Sequence, residues 1–371
     1  MLKRTFILCC LFIGGLVVAV ACSRKANTPG EVVPDPPEMP VKPGPRFPVD
    51  LALIYHGNGD RPEWNKDQLK PYVYRMQNGK LQWQFDGFLF LEITARIDGK
   101  FYDFGVAPAA GKMQWQWLLD RTFADGKGPD ALEEVMDGLA KQGYRAPYKR
   151  KVIISIPNPV YGDTAWGILK GKKLDFKNND DRIAASKWYM DQVLQIWNTK
   201  NYKYLDFAGF YWLSESVDYA SDADVMKATS TYVRDKKKDF YWIPYYGAGR
   251  ARDWRALGLD IAHQQPNYFF DLKSPYTILT GGISFAQQHQ MALEMEFDDR
   301  LATDKGYMGK FYDYLNEYAK QGIFDTKPVA YYEGGGAWLR MSLNKDTAVQ
   351  RAFNTLGDIL ARRKEKDITF Q

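Results

Sequence analysis

The sequence predicts an α/β protein whose body is one (β/α)8 TIM barrel, and three observations predict it. From residue 51 onward, short runs rich in β-branched and aromatic residues alternate with amphipathic helical stretches. Eight such strand–helix units can be counted, although only residues 247–258 separate the fifth and sixth strands. Neither an internal repeat nor a second-domain boundary interrupts them. This alternation predicts a parallel sheet that closes on itself, and an open doubly wound sheet is the alternative.

Residues 1–21 have the features of an export signal, with two bases, an apolar stretch and small residues before Cys22. A small-residue triplet directly before a cysteine resembles the lipobox of bacterial lipoproteins. That resemblance implies that Cys22 is acylated and anchors the mature chain to a membrane, and an ordinary secretory peptide is the alternative. Because Cys9 and Cys10 leave with the leader, we expect no disulfide and no cysteine metal site.

Residues 22–48 are predicted to be a tether, because eight prolines fall between positions 29 and 48 with little apolar surface to bury. Such a stretch favours extended polyproline geometry. Basic residues follow Cys22, whereas the surface-export signals of some gut-bacterial lipoproteins are acidic at these positions. The sequence therefore does not predict whether the protein lies on the periplasmic or the surface face of the outer membrane. The barrel domain is predicted to span residues 49–371.

The charge balance argues against nucleic acid as a partner. The formal net charge is +5, spread along the whole chain, and two of the bases lie in the predicted leader. The three histidines are far apart, and no serine has the flanking glycines of a hydrolase elbow. We therefore predict neither a metal nor a cofactor.

The predicted elements follow in order along the chain. Asp222 lies at a helix start, where the helix dipole favours acids. Insertions at 94–128 and 267–282 follow strands, so they are expected on the face where such barrels build their sites, and 96–104 is expected to form a small hairpin. Strands are predicted at 51–56, 85–93, 151–158, 206–214, 240–246, 259–265, 291–297 and 328–332. The clearest helices are predicted at 130–142, 181–200, 222–237, 306–321 and 345–363.

The seventh strand carries two acids on one face. Period-2 alternation sends Leu293 and Met295 to the helix-covered side and Glu294 and Glu296 into the barrel. A buried carboxylate is costly unless it is paired, and neighbouring strands offer few bases for such a structural pairing. Glu296, and Glu294 one layer deeper, are therefore candidate catalytic residues.

The fourth strand ends abruptly in Glu215. This residue shares a strand face with Tyr211, and desolvation there is expected to raise its pKa. The alternative is an acid that caps the next helix, but Asp218 and Asp222 already supply that chemistry. Glu215 is therefore the third candidate catalytic residue.

A glutamate that ends strand four and another near the end of strand seven resemble the arrangement in the large clan of retaining glycosidases. That resemblance implies that Glu215 is the acid/base and Glu296 the nucleophile. The clan usually has Asn before its acid/base, whereas this chain has Ser214. The chain also resembles an uncharacterised lipoprotein family of glycan-degrading, Bacteroides-type gut anaerobes, over nearly all of residues 50–365. The stretches that carry this second resemblance are 209–216, 240–246, 264–268 and 294–296.

The separation of two such carboxyl groups determines the chemistry. At about 5 to 5.5 Å one attacks the anomeric carbon while the other protonates the departing oxygen, and at about 6.5 to 9.5 Å a water intervenes and the centre inverts. Like charges so close push one pKa up, as a general acid requires. We predict a retaining hydrolase of a poly- or oligosaccharide. The alternative is a non-catalytic glycan-binding lipoprotein, and ester or amide hydrolysis is disfavoured because no nucleophile–base pair is present.

Polar and aromatic residues at the strand ends are candidate carbohydrate-binding residues. A ring at a strand end stacks on the apolar face of a sugar, and amides, hydroxyls and acids bond its hydroxyl groups. Core packing is the alternative for each ring. The candidates are His56, Asn158, Trp212, Ser214, Tyr246, Gln265, Asn267, Tyr268, Tyr331, Glu333 and Trp338.

Overall fold

Eight parallel strands form a closed barrel in the computed structural model, which describes residues 44–57, 61–95, 98–103, 108–366 and 368. The last strand pairs with the first in the register Asp50 to Val329, which closes the barrel. The predicted (β/α)8 fold is therefore confirmed and an open sheet is excluded. The strands are β1 (Asp50–Tyr55), β2 (Gly87–Leu91), β3 (Arg150–Ile156), β4 (Leu205–Trp212), β5 (Asp239–Trp242), β6 (Ile261–Gln264), β7 (Ala292–Glu296) and β8 (Val329–Tyr332).

The predicted helices are present, and three of them begin where a side chain caps the first turn. Asn178, Asp304 and Asp346 each accept hydrogen bonds from backbone N–H groups that have no partner within the helix. The short fifth unit has only the 3-10 turn Ala251–Asp253 between β5 and β6. The helices are α1 (Lys66–Val73), α2 (Lys112–Thr122), α3 (Gly128–Lys141), α4 (Asn179–Lys200), α5 (Ala220–Asp235), α6 (Tyr276–Gln288), α7 (Lys305–Lys320), α8 (Ile323–Thr326), α9 (Ala337–Leu343) and α10 (Thr347–Arg363).

Antiparallel hairpins extend from the barrel. Thr94–Ala95 pairs with Lys100–Phe101 within the insertion after β2, where a hairpin was predicted; residues 96, 97 and 104 lie outside the described residues. Two further hairpins were not predicted from the sequence. They are Tyr74–Gln77 with Lys80–Trp83, and Ile168–Leu169 with Lys172–Lys173.

The N-terminal segment is described only from residue 44, so the predicted leader and Cys22 lie outside the described residues. Arg46 and Phe47, at the end of the predicted tether, contact the barrel. The Arg46 guanidinium pairs with Asp239 at 2.6 Å, and the Phe47 ring packs edge-on against Tyr241 at 6.0 Å between centroids. In the described part of the chain, no helix combines the length and the apolar character that a membrane span needs.

Candidate active site

Two cavities open at the carboxyl ends of the barrel strands. The larger, of about 800 Å³, is bordered by segments that follow β3, β4 and β5. The smaller, of about 380 Å³, is bordered by residues at the ends of β1 and β8 and by segments that follow β2 and β6. Glu215 and Tyr245 line both cavities. Small-molecule sites occupy roughly 300 to 1,000 Å³, so this end of the barrel is the candidate active site.

Glu215 lies just beyond β4 and is half-buried. Burial raises its pKa to about 8, and the negative charges of Asp103 and Glu296 add to the rise. The pKa is thus raised in the direction expected from its position. A carboxyl group with this pKa is protonated at neutral pH and can donate a proton to a ligand in either cavity. Asp103, in the insertion after β2, was not anticipated from the sequence.

The alternation predicted for β7 is present in the structure. The Phe297 ring packs against Phe311 of α7 at 5.4 Å between centroids, so Phe297 faces the helices. Glu294 and Glu296, at alternate positions, lie on the opposite face of the strand. Both are buried, with exposures of 1% and 0%. Neither is among the described residues that line the two cavities.

The Glu296 carboxyl group is held by four hydrogen-bond donors, because β6 is too short to pair with the end of β7 and the following loop fills the space. Backbone N–H groups of Asn267, Tyr268 and Phe269 donate to it at 2.8, 3.0 and 3.3 Å. The Tyr314 hydroxyl of α7 donates as well. Burial raises the pKa of Glu296 to about 7, and these hydrogen bonds limit the rise.

The Glu294 carboxyl group has fewer hydrogen-bond partners among the described residues than the Glu296 carboxyl group has. Its Oε2 atom is buried and has no hydrogen-bond partner in the described part of the chain. Burial raises its pKa well above the ordinary value, with the charges of Glu296 and Glu215 adding to the effect. The three carboxyl groups therefore influence one another, and burial raises the pKa of each of them.

Four of the predicted binding residues line the cavities. Asn158 and Ser214 border the larger cavity, and Gln265 and Asn267 border the smaller one. The Gln265 Oε1 atom is buried without a hydrogen-bond partner among the described residues. Asn267 is exposed and has a φ of 62°, in the left-handed region that Asn tolerates.

The other predicted binding residues are not among the described residues that line either cavity. Tyr246 is 37% exposed, but its ring packs against Phe285 of α6. Tyr331 faces the helices, where its hydroxyl donates to Asp50 at 2.7 Å. The seven residues in this group are His56, Trp212, Tyr246, Tyr268, Tyr331, Glu333 and Trp338.

Burial accounts for most of that group. The His56 ring lies 2.5 Å from the Thr122 hydroxyl, and burial lowers its pKa to about 4, which keeps it neutral. Trp338 is fully buried, and its indole N–H donates to a backbone carbonyl of α1 at 2.9 Å. Glu333 is buried and accepts the backbone N–H groups of Gly336 and Trp338, so it holds the glycine loop in place.

Two more of the group are held by packing and by side-chain hydrogen bonds. Trp212 is 2% exposed and packs against Phe240. The Tyr268 hydroxyl donates to Asp313 at 2.8 Å, and the Lys310 ammonium lies 3.5 Å above its ring. Stacking on a ligand is therefore closed to both rings in this structure.

Several lining residues were missed from the sequence. Tyr55 and Tyr332 are the last residues of β1 and β8, so the strand-end rule applied to every strand identifies them. Arg61, Tyr161 and Tyr219 lie in connecting segments with no periodic signal. For the residues that the structure describes, no three His, Cys, Asp or Glu side chains are grouped to hold a metal ion.

The fold and site define a (β/α)8 barrel with clustered carboxyl groups beside a two-part cavity at the carboxyl ends of its strands. The chain belongs to the family described as domain of unknown function DUF4855, whose model matches residues 50–358. The predicted resemblance to an uncharacterised family is confirmed to that extent.

Comparisons with individual proteins add the following findings. A search of curated proteins finds no match to this chain. Among solved structures, the chain is similar to an α-amylase from Malbranchea cinnamomea, at 10% identity over 87% of this chain and 78% of that one, with a TM-score of 0.45. It is also similar to xylanase 10C from Cellvibrio japonicus, at 10% identity over 88% and 72%, with a TM-score of 0.43.

Proposed function

We propose that this protein is a retaining glycoside hydrolase of a poly- or oligosaccharide, with Glu215 as acid/base and Glu296 as nucleophile. The observation that carries the proposal is the position of Glu215. Its half-buried carboxyl group borders both cavities and has a pKa of about 8. A carboxyl group that is protonated at neutral pH beside a ligand-sized cavity suits protonation of a departing glycosidic oxygen.

The surroundings of the two carboxyl groups support this division of roles. Four hydrogen-bond donors favour the ionised form of Glu296, whereas burial and two nearby acids raise the pKa of Glu215 to about 8 and favour its protonated form. Glu296 then attacks the anomeric carbon and the C–O bond breaks as Glu215 gives its proton to the leaving oxygen. In the second step Glu215 takes a proton from the water that displaces Glu296. Because Glu296 is closed off from both cavities, the proposal requires the 267–269 loop to move when a sugar binds.

The test is a hydrolysis screen of glycans and glycosyl fluorides with the wild type and Glu215→Gln. We expect the variant to lose about 10²- to 10⁴-fold in kcat/KM on natural sugars. The loss on the first step with a glycosyl fluoride is smaller, because fluoride departs without a proton. Glu134→Gln, an exposed acid on α3, is the matched control.

The stereochemistry and the pH profile complete this test. NMR of the first-formed product should show the anomer of the substrate, and kcat/KM should peak between pH 7 and 8. Undiminished activity in Glu215→Gln contradicts its role as the acid, and the opposite anomer contradicts retention. Glu294→Gln tests the next candidate nucleophile, whose Oε2 atom has no hydrogen-bond partner among the described residues.

A non-catalytic glycan-binding protein is the second candidate. It is favoured by the four donors that occupy Glu296 and by the exclusion of both β7 glutamates from the described cavity walls. Binding of the same glycans by the wild type and Glu296→Ala, with cleavage by neither, supports this candidate. Cleavage by the wild type excludes it.

We also propose that the mature protein is anchored to the outer membrane through a lipid on Cys22. The proposal is supported by the small residues that directly precede this cysteine and by the proline-rich segment after it. Cys22→Ser should abolish labelling with a radioactive fatty acid and release the protein from the membrane fraction. Equal labelling of both forms contradicts it.

A further inference from the structure

The two cavities differ in how they are placed relative to β7. Asn267, which lines the smaller cavity, donates its backbone N–H to Glu296 at 2.8 Å. Tyr332, which lines the same cavity, pairs with Glu296 in the register of β8 against β7. The smaller cavity therefore lies next to the β7 glutamates, and Glu215 stands between it and the larger one.

This placement assigns a direction to a bound sugar chain. In a retaining reaction the nucleophile and the acid lie on either side of the bond that breaks. The unit that is attacked must then lie in the smaller cavity, near β7. The part that departs lies beyond Glu215, in the larger cavity.

We infer that the larger cavity binds the leaving-group side of an uncharged sugar chain and that Tyr161 and Tyr219 are its stacking surfaces. The inference rests on the proposed function. Both tyrosines line this cavity and are 57% and 71% exposed, unlike most rings of the barrel. Rings this exposed at a ligand-sized cavity suit the apolar faces of sugars. The Arg182 guanidinium lies over one face of the Tyr161 ring, 5.8 Å from its centroid, so a sugar would stack on the other face.

The polar lining of the larger cavity favours hydroxyl groups. Asn158 and Ser221 contribute an amide and a hydroxyl, which can both donate to and accept from a sugar. The hydroxyls of Ser214 and Ser216 donate to the Ser216 carbonyl and to Asp218, and their oxygens can accept from a sugar. The size of the cavity, about 800 Å³, is in the upper part of the range for small-molecule sites.

The charges of the larger cavity disfavour acidic sugars. Arg182 is the one base among its described lining residues, and it is buried and already engaged. It donates to Asp222 at 2.5 Å and to the Pro159 carbonyl at 2.7 Å. Asp218, also in the lining, is exposed, so a uronate or sulfate group would meet negative charge without a free cation.

The experiment compares two substrates of the same sugar that differ only in their leaving group. One is an oligosaccharide cleaved in the screen described above, and the other is the matching glycosyl fluoride, whose leaving group is a single atom. Tyr161→Ala and Tyr219→Ala should each reduce kcat/KM on the oligosaccharide about tenfold. With the glycosyl fluoride, the loss of kcat/KM in each variant should be several-fold smaller.

Matched variants separate stacking from general damage. Tyr161→Phe and Tyr219→Phe keep the rings and should recover most of the oligosaccharide kcat/KM that the alanine variants lose. Tyr144→Ala, which removes a 38% exposed ring in the segment that leads into β3, should leave both rates unchanged. An oligosaccharide of uronate or sulfated units should be cleaved more slowly than its uncharged counterpart.

The outcomes divide cleanly. Equal losses on both substrates, or none on either, overturn the assignment of the larger cavity while hydrolysis itself stands. Faster cleavage of the acidic chain overturns its preference for uncharged sugars. If the wild type cleaves neither an oligosaccharide nor a fluoride, the proposed function fails and this inference fails with it.

Discussion

Glu294 and Glu296 are two residues apart on β7 and share a face, yet they have different surroundings. Four donors converge on Glu296, one of them the Tyr314 hydroxyl. The Oε2 atom of Glu294 has no hydrogen-bond partner in the residues that are described. The difference arises because β6 stops short of Glu296, so backbone N–H groups of the next loop turn toward its carboxyl group. Strand alternation sets the face that a side chain occupies, but not its hydrogen-bond partners.

The two glutamates should therefore respond differently to conversion to the amide. In Glu296→Gln, one accepting oxygen becomes an NH₂ group that faces donors, so we expect a loss of about 1 to 3 kcal/mol in the free energy of unfolding at pH 8. Glu294→Gln replaces a protonated acid by a neutral group of similar shape and should not lower the free energy of unfolding at that pH. Urea denaturation of both variants measures this change in the free energy of unfolding. Equal losses would show that the four donors contribute nothing specific.

At the residue scale, the strand-end rule identified the side chains that follow a strand directly. Asn158, Ser214, Glu215, Gln265 and Asn267 all line a cavity because carboxyl ends of parallel strands meet at one edge. The rule failed to place residues whose burial depends on helix packing. Trp338, for example, lies in the first turn of α9 and packs against Phe85 and Phe353, which no local pattern indicates.

At the element scale, β4 and β5 approach each other closely at a glycine. Gly209 pairs with Asp239, and a Cβ atom at position 209 would lie 1.9 Å from the Asp239 carbonyl oxygen. The register of β4 against β3 also shifts between Phe207 and Gly209. Because Glu215 follows β4 and Tyr245 follows β5, this contact helps to position the two residues that the cavities share.

Gly209→Ala should therefore destabilise the barrel, since two backbones would have to separate. We expect a loss of about 2 kcal/mol or more in the free energy of unfolding. Gly138→Ala, within α3, is the matched control: nothing lies within 4 Å of its Cβ position, so it should stabilise by about 0.5 to 1 kcal/mol. Chemical denaturation distinguishes them. A Gly209→Ala variant as stable as the wild type would contradict the close approach.

Elements were predicted best where periodicity was long. The helix predicted at 181–200 is observed as Asn179–Lys200, whereas the strand predicted at 240–246 ends at Trp242. The strand ends there because Pro244 cannot donate to a ladder hydrogen bond. The Tyr74–Gln77 and Lys80–Trp83 hairpin was missed because each arm has only four residues and little alternation.

At the scale of the whole molecule, the two ends of the barrel differ in how many of their buried acids form ion pairs. Near the start of β1, Asp50 accepts from Arg363 at 2.7 Å and so ties the last helix to the first strand. Lys364 also pairs with Asp86 at 3.3 Å. At the opposite end, no ion pair in the described part of the chain neutralises Glu215, Glu294, Glu296 or Glu333. At the end with the cavities, Arg61 pairs with the buried Glu92 at 3.3 Å, but these four acids have no such partner among the described residues.

The unpaired acids give the fold a defined dependence on pH. The pKa is raised to about 7 for Glu296, to about 8 for Glu215 and Glu333, and well above its ordinary value for Glu294, chiefly by burial. Each holds a proton in the folded chain that the unfolded chain, with a pKa of about 4.3, loses above about pH 5. This contribution to stability is full below the unfolded pKa and is lost as the pH rises through the folded pKa.

Two buried histidines have the opposite effect on the pH dependence of stability, but they act in a lower pH range. Burial lowers the pKa of His56 to about 4 and that of His263 to about 3. The unfolded chain binds these protons below about pH 6.5, so the histidines reduce stability as the pH falls below that value. Between pH 6.5 and 8 the effect of the acids therefore dominates.

The free energy of unfolding should accordingly fall from pH 6.5 to 8 by on the order of a few kcal/mol. Urea denaturation at half-unit steps of pH measures the slope. Glu294→Gln removes one of the raised acids, so its slope should be shallower and it should be more stable than the wild type at pH 8. Glu134→Gln, which removes an exposed acid, should keep the wild-type slope. A flat or rising curve in the wild type would show that the carboxyl groups beside the cavities are ionised at neutral pH, and Glu215 could not then act as the proton donor.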